Sequence, residues 1–157
     1  MIDTRVRDVM TNLVLTFRRN DAIGDATRRL SSNRVSGAPV VEDGRVVGVV
    51  SEADLLRAYT SGGLRSPGMA LPLFLLRATP PPKPAAETVG EVMTEKVVTV
   101  GPEETVGRAA ALLARHGVRR LPVVDDDGYL MGIVARADLV RCMADAAVEG
   151  LSVSADA

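Results

Sequence analysis

The sequence predicts an α/β (α+β) fold made of two β-α-β-β-α repeats packed with pseudo-twofold symmetry. Three observations carry this. The first is internal duplication: Val6-Arg7-Asp8-Val9-Met10-Thr11 returns as Val89-Gly90-Glu91-Val92-Met93-Thr94, 83 residues later. The register holds through Thr16/Thr99, Gly24/Gly107, Leu30/Leu113 and Ala38-Pro39-Val40-Val41 against Leu121-Pro122-Val123-Val124. One extra Asp within Asp125–Asp127 moves the offset to 84, and Gly48–Leu55 then matches Gly132–Leu139. The second is apolar spacing of one-face helices, and the third is an Asp-Gly pair between apolar runs in each copy.

Each element follows in order. Leu13–Phe17 and Val97–Val100 read as a first strand. Ile23, Ala26 and Leu30 recur at the helical spacing i, i+3, i+7, as do Val106, Ala109 and Leu113. Acidic residues precede both runs (Asp21; Glu103 and Glu104), favouring a helix start. Ala38–Val41 and Val46–Val50 flank Asp43-Gly44, while Leu121–Val124 and Tyr129–Val134 flank Asp127-Gly128; both pairs read as hairpins. A second helix begins near Glu52 and Arg136. One copy of about 55 residues buries too little apolar surface to be comfortably stable alone, so the two are expected to bury their faces on each other. The expected organisation is repeat one over 1–59, a linker over 60–88, repeat two over 89–145 and a C-terminal tail over 146–157. The linker is marked by Gly62-Gly63, Pro67-Gly68 and Pro80-Pro81-Pro82, and it encloses an apolar patch at 69–76.

Composition removes several functions. The chain has 157 residues, of which aromatics are 3%. The core must therefore be aliphatic, and a stacking platform for single-stranded nucleic acid is not expected. With one Cys and one His there is no internal disulfide and no multi-Cys or multi-His metal centre. The net charge of −1 hides an asymmetry. Residues 1–84 hold 12 Lys and Arg against 8 Asp and Glu, a net +4; residues 85–157 hold 7 against 12, a net −5. The charged start MIDTRVRDVM does not read as a signal peptide, and the longest apolar run is too short to span a bilayer. A cytoplasmic location without a membrane span is the expectation.

The repeated marks "VRDVMT" and "VGEVMT", with "RVSGAPVVEDGRVVGVVSEADLLR" and "GVRRLPVVDDDGYLMGIVARADLVR", resemble the cystathionine-β-synthase (CBS) domain. The tandem resembles a CBS pair, or Bateman module. The resemblance covers about 6–59 and 89–145, and a stand-alone pair without a catalytic domain is the expectation. It implies a regulatory or sensor module, not an enzyme, that binds adenosine-containing ligands (AMP, ADP, ATP or S-adenosylmethionine) in clefts between the repeats. No cofactor is required on this reading. It further implies that the Asp of [Ser/Thr]-x-x-Asp holds the ribose hydroxyls and that the two halves of each site come from opposite repeats.

On the residues themselves, Asp54 and Asp138 each lie three positions past an apolar strand, where a helix opens. A carboxylate there can accept two ribose hydroxyls; it can equally close a helix start and favour the macrodipole. One expected cleft combines Ser51 and Asp54 with Thr94, Val98, Val118, Arg119 and Arg120. The two guanidinium groups suit phosphate or form a solvated basic edge. The other combines Asp138 with Thr11, Leu15, Val35, Ser36 and Gly37. There the family's Ser/Thr is Ala135, so the Ser51/Asp54 cleft is expected to be the stronger nucleotide site. The partners expected are an adenosyl small molecule, a second copy in a homodimer, and an unidentified target protein; nucleic acid is not expected. The competing reading is a ligand-free dimerisation and docking scaffold.

Overall fold

The computed structural model describes residues 3–60 and 84–155. The apolar patch 69–76 and most of the 60–88 linker lie outside the described residues. The elements are α1 (Val6–Val9), α2 (Ile23–Asn33), β1 (Gly37–Glu42), β2 (Arg45–Ser51), α3 (Glu52–Thr60), α4 (Val89–Val92), α5 (Val106–His116), β3 (Arg120–Val124), β4 (Leu130–Ala135) and α6 (Arg136–Ala155). They form two two-stranded sheets, β1-β2 and β3-β4. Each sheet is a hairpin beside two longer helices, in the order expected from the duplication. Helix α6 continues through the segment that reads as a tail in the sequence.

The helical periods bury the faces they predict. Ile23, Ala26 and Leu30 of α2 are buried, as are Val106, Ala109 and Leu113 of α5. Burying an aliphatic side chain of this size contributes roughly 1.5–3 kcal/mol, so these stripes hold each helix to its sheet. Thr105 caps α5 by accepting the Arg108 N–H at 3.1 Å. The first hairpin turns through Asp43 (φ 49°) and Gly44 (φ 81°), the pair of positive φ values that a type I′ turn demands. In the second, the extra Asp lengthens the turn. The Asp125 carboxylate accepts the N–H groups of Asp127 (3.0 Å) and Tyr129 (2.9 Å), and the register beside the turn shifts between Val123 and Val124, with Met131 left over on β4.

The expected first strands are reduced to single parallel bridges, Phe17 with Val40 and Val100 with Val123. Proline explains the truncation. The Val100 N–H donates to the Pro122 carbonyl (3.1 Å) and its carbonyl accepts the Val124 N–H (3.0 Å). The next rung toward Val98 needs the N–H of residue 122, and the next one forward needs the N–H of residue 102. Both are Pro and have none. Phe17 donates to the Pro39 carbonyl (3.0 Å), and there the rung toward Leu15 is lost in the same way because residue 39 is Pro.

The chain divides into two compact units that interleave the repeats. Unit one is Met1–Leu15, Val41–Val47 and Lys96–Ala157; unit two is Thr16–Val40 and Gly48–Glu95. Within unit one, α1 of the first repeat docks on β4 of the second. Thr11 and Ile133 exchange N–H···O bonds of 2.8 and 2.9 Å, and the Val6 N–H donates to the Glu104 carbonyl at 2.8 Å. Val6 is thereby buried among Val100, Val106, Leu113, Leu121, Val134 and Leu139. Within unit two, α4 docks on β2 in the same manner: Thr94 and Val49 exchange bonds of 2.9 and 3.0 Å, and Val89 is buried. The tip of the first hairpin joins unit one. The Leu130 N–H donates to the Gly44 carbonyl (3.0 Å), and the Arg45 guanidinium lies 5.0 Å from the Tyr129 ring centre.

These dockings require glycine on the strand beneath. A Cβ at Gly132 would lie 2.8 Å from Met10 Sδ and 2.8 Å from the Thr11 carbonyl oxygen. At Gly48 the corresponding distances are 2.6 Å to Met93 Sδ and 3.1 Å to the Thr94 carbonyl. A thioether can swing aside; a bonded backbone carbonyl cannot. Gly132→Ala is therefore expected to lower stability by about 1–3 kcal/mol, and Gly48→Ala by less, measured by urea unfolding. Equal stability of wild type and Gly132→Ala would contradict the docking.

Candidate functional site

The helix starts after the two hairpins are built alike. Asp54 is the third residue of α3 and Asp138 the third of α6. In each case the carboxylate turns back to the residue before the helix. Asp54 Oδ2 accepts the Ser51 N–H at 2.8 Å and the Ser51 hydroxyl at 2.9 Å. Asp138 Oδ2 accepts the Ala135 N–H at 2.8 Å. These bonds satisfy donors that helix geometry leaves open. The second oxygen of each pairs with an arginine one turn on: Asp54 with Arg57, and Asp138 with Arg141 at 2.6 Å.

The two sites differ in burial. The Asp54 side chain is 7% exposed and that of Asp138 is 16%, while both arginines are about 70% exposed. Each carboxylate is held as an acceptor, with lone pairs beyond those its cap and its arginine use. Arg57 and Arg141 had no role in the sequence reading. Their signal was present: the motif repeats as Ser51-x-x-Asp54-x-x-Arg57 and Ala135-x-x-Asp138-x-x-Arg141, and i, i+3 spacing on a helix brings Asp and Arg together.

The remaining candidate residues are distributed by unit. Unit two holds Ser51, Asp54 and Thr94 together with Val35, Ser36 and Gly37. Thr94 joins β2 through Val49, and the Glu52 N–H donates to the Ser36 carbonyl at 2.9 Å. Unit one holds Asp138, Thr11 and Leu15 together with Val98, Val118, Arg119 and Arg120. Thr11 joins β4 through Ile133, Arg120 is paired across the sheet with Ala135, and the Arg136 N–H donates to the Arg119 carbonyl at 2.9 Å. The arginine pair that the sequence reading grouped with Asp54 thus lies beside Asp138. A hairpin explains this, because the first residue of β3 must meet the last residue of β4. Thr11 and Thr94 are exposed; Leu15, Val35, Val98 and Val118 are half-buried; Gly37 is buried.

Comparisons with known proteins give the family and the fold. Matches to the CBS domain family cover residues 6–61 and 89–145, and the chain belongs to that family as a CBS pair. It is 36% identical over 152 residues to the uncharacterized protein MJ1426 of Methanocaldococcus jannaschii, covering 88% of this chain and 90% of that one. Among solved structures it resembles CBSX2 of Arabidopsis thaliana in complex with AMP, with 32% identity, a TM-score of 0.70, and coverage of 90% of this chain and 96% of that chain. It also resembles the CBS pair of protein MJ0100 in complex with 5′-methylthioadenosine and S-adenosyl-L-methionine. There the identity is 25% and the TM-score 0.68, with coverage of 89% of this chain and 99% of that chain. Other curated relatives are longer: the chain spans 24% of an L-aspartate semialdehyde sulfurtransferase from Methanosarcina acetivorans and 33% of MJ1404. Among the described residues no helix is long and apolar enough to cross a membrane.

The short helix α4 that leads to Thr94 is closed by the same chemistry. The Glu91 carboxylate accepts the N–H groups of Thr88 and Glu87, both at 2.8 Å, and the Thr88 hydroxyl at 3.2 Å. The Thr88 and Glu87 backbone bonds pull the Glu91 pKa below its ordinary value of 4.5. A carboxyl with a depressed folded pKa adds stability above the ordinary value and loses it as pH falls through the folded one. Wild type is therefore expected to exceed Glu91→Gln in melting temperature at neutral pH, with the gap closing as pH falls below the ordinary value of 4.5 and through the lower folded one. A gap independent of pH would show that the ionised carboxylate is not what closes α4.

Proposed function

We propose that this chain is a regulatory module, not a catalytic one, that binds an adenosine-containing ligand and transmits its presence to a separate protein. The observation that carries the reading is the twice-built acceptor, Asp54 and Asp138, in a chain 32% identical to a CBS pair in complex with AMP that covers 90% of it. Each carboxylate is held by backbone and guanidinium in a form suited to accept ribose hydroxyls. The hydroxyl of Ser51, with Thr94 and the Ser36-Gly37 backbone, flanks one carboxylate; Thr11, Arg119, Arg120 and Arg136 flank the other. Half-buried Leu15, Val35, Val98 and Val118 offer apolar surface to a purine. Ligand binding changes the output only so far as it favours one arrangement of the module over another.

Mass action supplies the test. A ligand at about 100 times its Kd stabilises the native state by about 2.7 kcal/mol, a shift on the order of 5–10 °C in a chain of this size. AMP, ATP and S-adenosylmethionine are the probes. Asp54→Asn and Asp138→Asn keep an acceptor for the helix cap but remove the charge. Each also removes the charge that Arg57 or Arg141 pairs with, so unliganded melting is expected to fall modestly while the altered site weakens about tenfold. No shift with any of the three probes would refute the reading.

We further infer that the module acts as a homodimer. Leu56 on α3 and Val140 on α6 occupy the same place in the duplicated motif and are 64% and 60% exposed, as apolar residues held for a partner would be. Sedimentation analysis is expected to give a dimer for wild type and a monomer for Leu56→Glu/Val140→Glu. An unchanged mass in the double variant would rule out these helices as the contact.

A further inference from the structure

We propose that the two ligand positions are specialised by charge. The Asp138 position takes the adenosyl ligand that carries two or three phosphates, and the Asp54 position takes one with fewer negative charges. The inference rests on the adenosyl reading above and deepens it.

The duplication allows the two positions to be compared residue by residue. In both, the loop before the first hairpin strand is tied to the first residue of the following helix by one backbone bond of 2.9 Å: Arg136 N–H to Arg119 O, and Glu52 N–H to Ser36 O. On this shared frame the side chains differ. Unit one presents Arg119, Arg120 and Arg136 where unit two presents Ser36, Gly37 and Glu52. Arg119 and Arg136 are exposed, and no carboxylate among the described residues forms an ion pair with either. The acidic run Asp125–Asp127 lies at the opposite, turn end of the β3–β4 hairpin. In the same loop unit two carries Arg34 where unit one has Gly117, and Glu52 opens the helix where unit one has Arg136. Arg119 and Arg136 thus stand against Arg34 and Glu52.

The absence of a hydroxyl at Ala135 does not reverse this. Ser51 Oγ donates to Asp54 Oδ2 at 2.9 Å and accepts the Asp54 N–H at 3.3 Å. That hydroxyl serves its own helix cap, so lacking it removes little phosphate affinity. Guanidinium groups pair with phosphate oxygens through charge-assisted, often bidentate bonds.

The test is isothermal titration of the full chain with ATP, AMP and adenosine, using reciprocal exchanges between the positions. Arg119→Ser/Arg136→Glu gives unit one the side chains of unit two. It is expected to lose ATP affinity by about tenfold or more at one site and to flatten the salt dependence of ATP binding, with adenosine affinity within about twofold. Ser36→Arg/Glu52→Arg is expected to strengthen ATP binding at the other site. An ATP-to-adenosine preference unmoved by both exchanges overturns the specialisation and leaves the adenosyl reading standing. Failure of wild type to bind either ligand overturns that reading, and the specialisation with it.

Discussion

The architecture depends on a close approach of backbone to backbone. The segments after α1 and α4 each add one antiparallel bridge to a hairpin strand from the other repeat, and each can do so only because that strand presents glycine. The contact is short, but what it places is large in effect. Val6 and Val89 are carried into cores made by the opposite repeat and are fully buried there. A half-domain near the lower limit of independent stability thus receives an apolar side chain it does not encode locally. Covalent continuity then makes each unit dependent on both repeats.

A second economy runs through the helix starts. Asp8, Asp54, Glu91 and Asp138 each send a carboxylate back to the N–H three residues earlier. At α1 and α4 the bond closes a four-residue helix that propensity alone would not hold. At α3 and α6 the same bond orients a carboxylate that also has an arginine on its other oxygen. The ligand-binding acceptor proposed here is therefore an ordinary cap put to a second use. The readings of Asp54 as a cap and as a ribose ligand do not compete, since a carboxylate has capacity for both.

Much of this was legible in the sequence, for identifiable reasons. Helices α2 and α5 follow from the spacing of Ile23, Ala26 and Leu30 and of Val106, Ala109 and Leu113, because burial of one face decides a helix. The hairpins follow from Asp43-Gly44 and Asp127-Gly128, because those turns need positive φ. The first strands were over-read: apolar runs at 13–17 and 97–100 satisfy a strand pattern, but Pro39, Pro102 and Pro122 remove the donors that would extend the ladder. The exchange of α1 and α4 was not legible. A four-residue helix carries no period, and nothing local in Val6–Val9 says that its glycine partner is residue 132. The sequence singled out the candidate residues one by one, but not which of them the backbone brings together. Arg119 and Arg120 belong beside Asp138 by the geometry of an antiparallel hairpin, a constraint that the resemblance to a family passed over.

That grouping bears on how a duplicated module acquires two functions. The backbone frame is the same in both copies, down to the 2.9 Å bond that joins the loop to the helix. A change at a position whose side chain faces solvent in both copies, such as Glu52 against Arg136, costs the fold little, because exposed substitutions outside the core shift stability by only a few tenths of a kcal/mol. Changes at the caps cost more: Asp54 and Asp138 remain Asp in both copies, and Arg57 and Arg141 remain Arg. The residues that two copies can vary freely are thus the ones proposed above to set the charge of the ligand. The residues they share are the ones that hold the acceptor in place. Divergence of ligand preference with retention of ribose recognition is the physically cheap direction for such a pair.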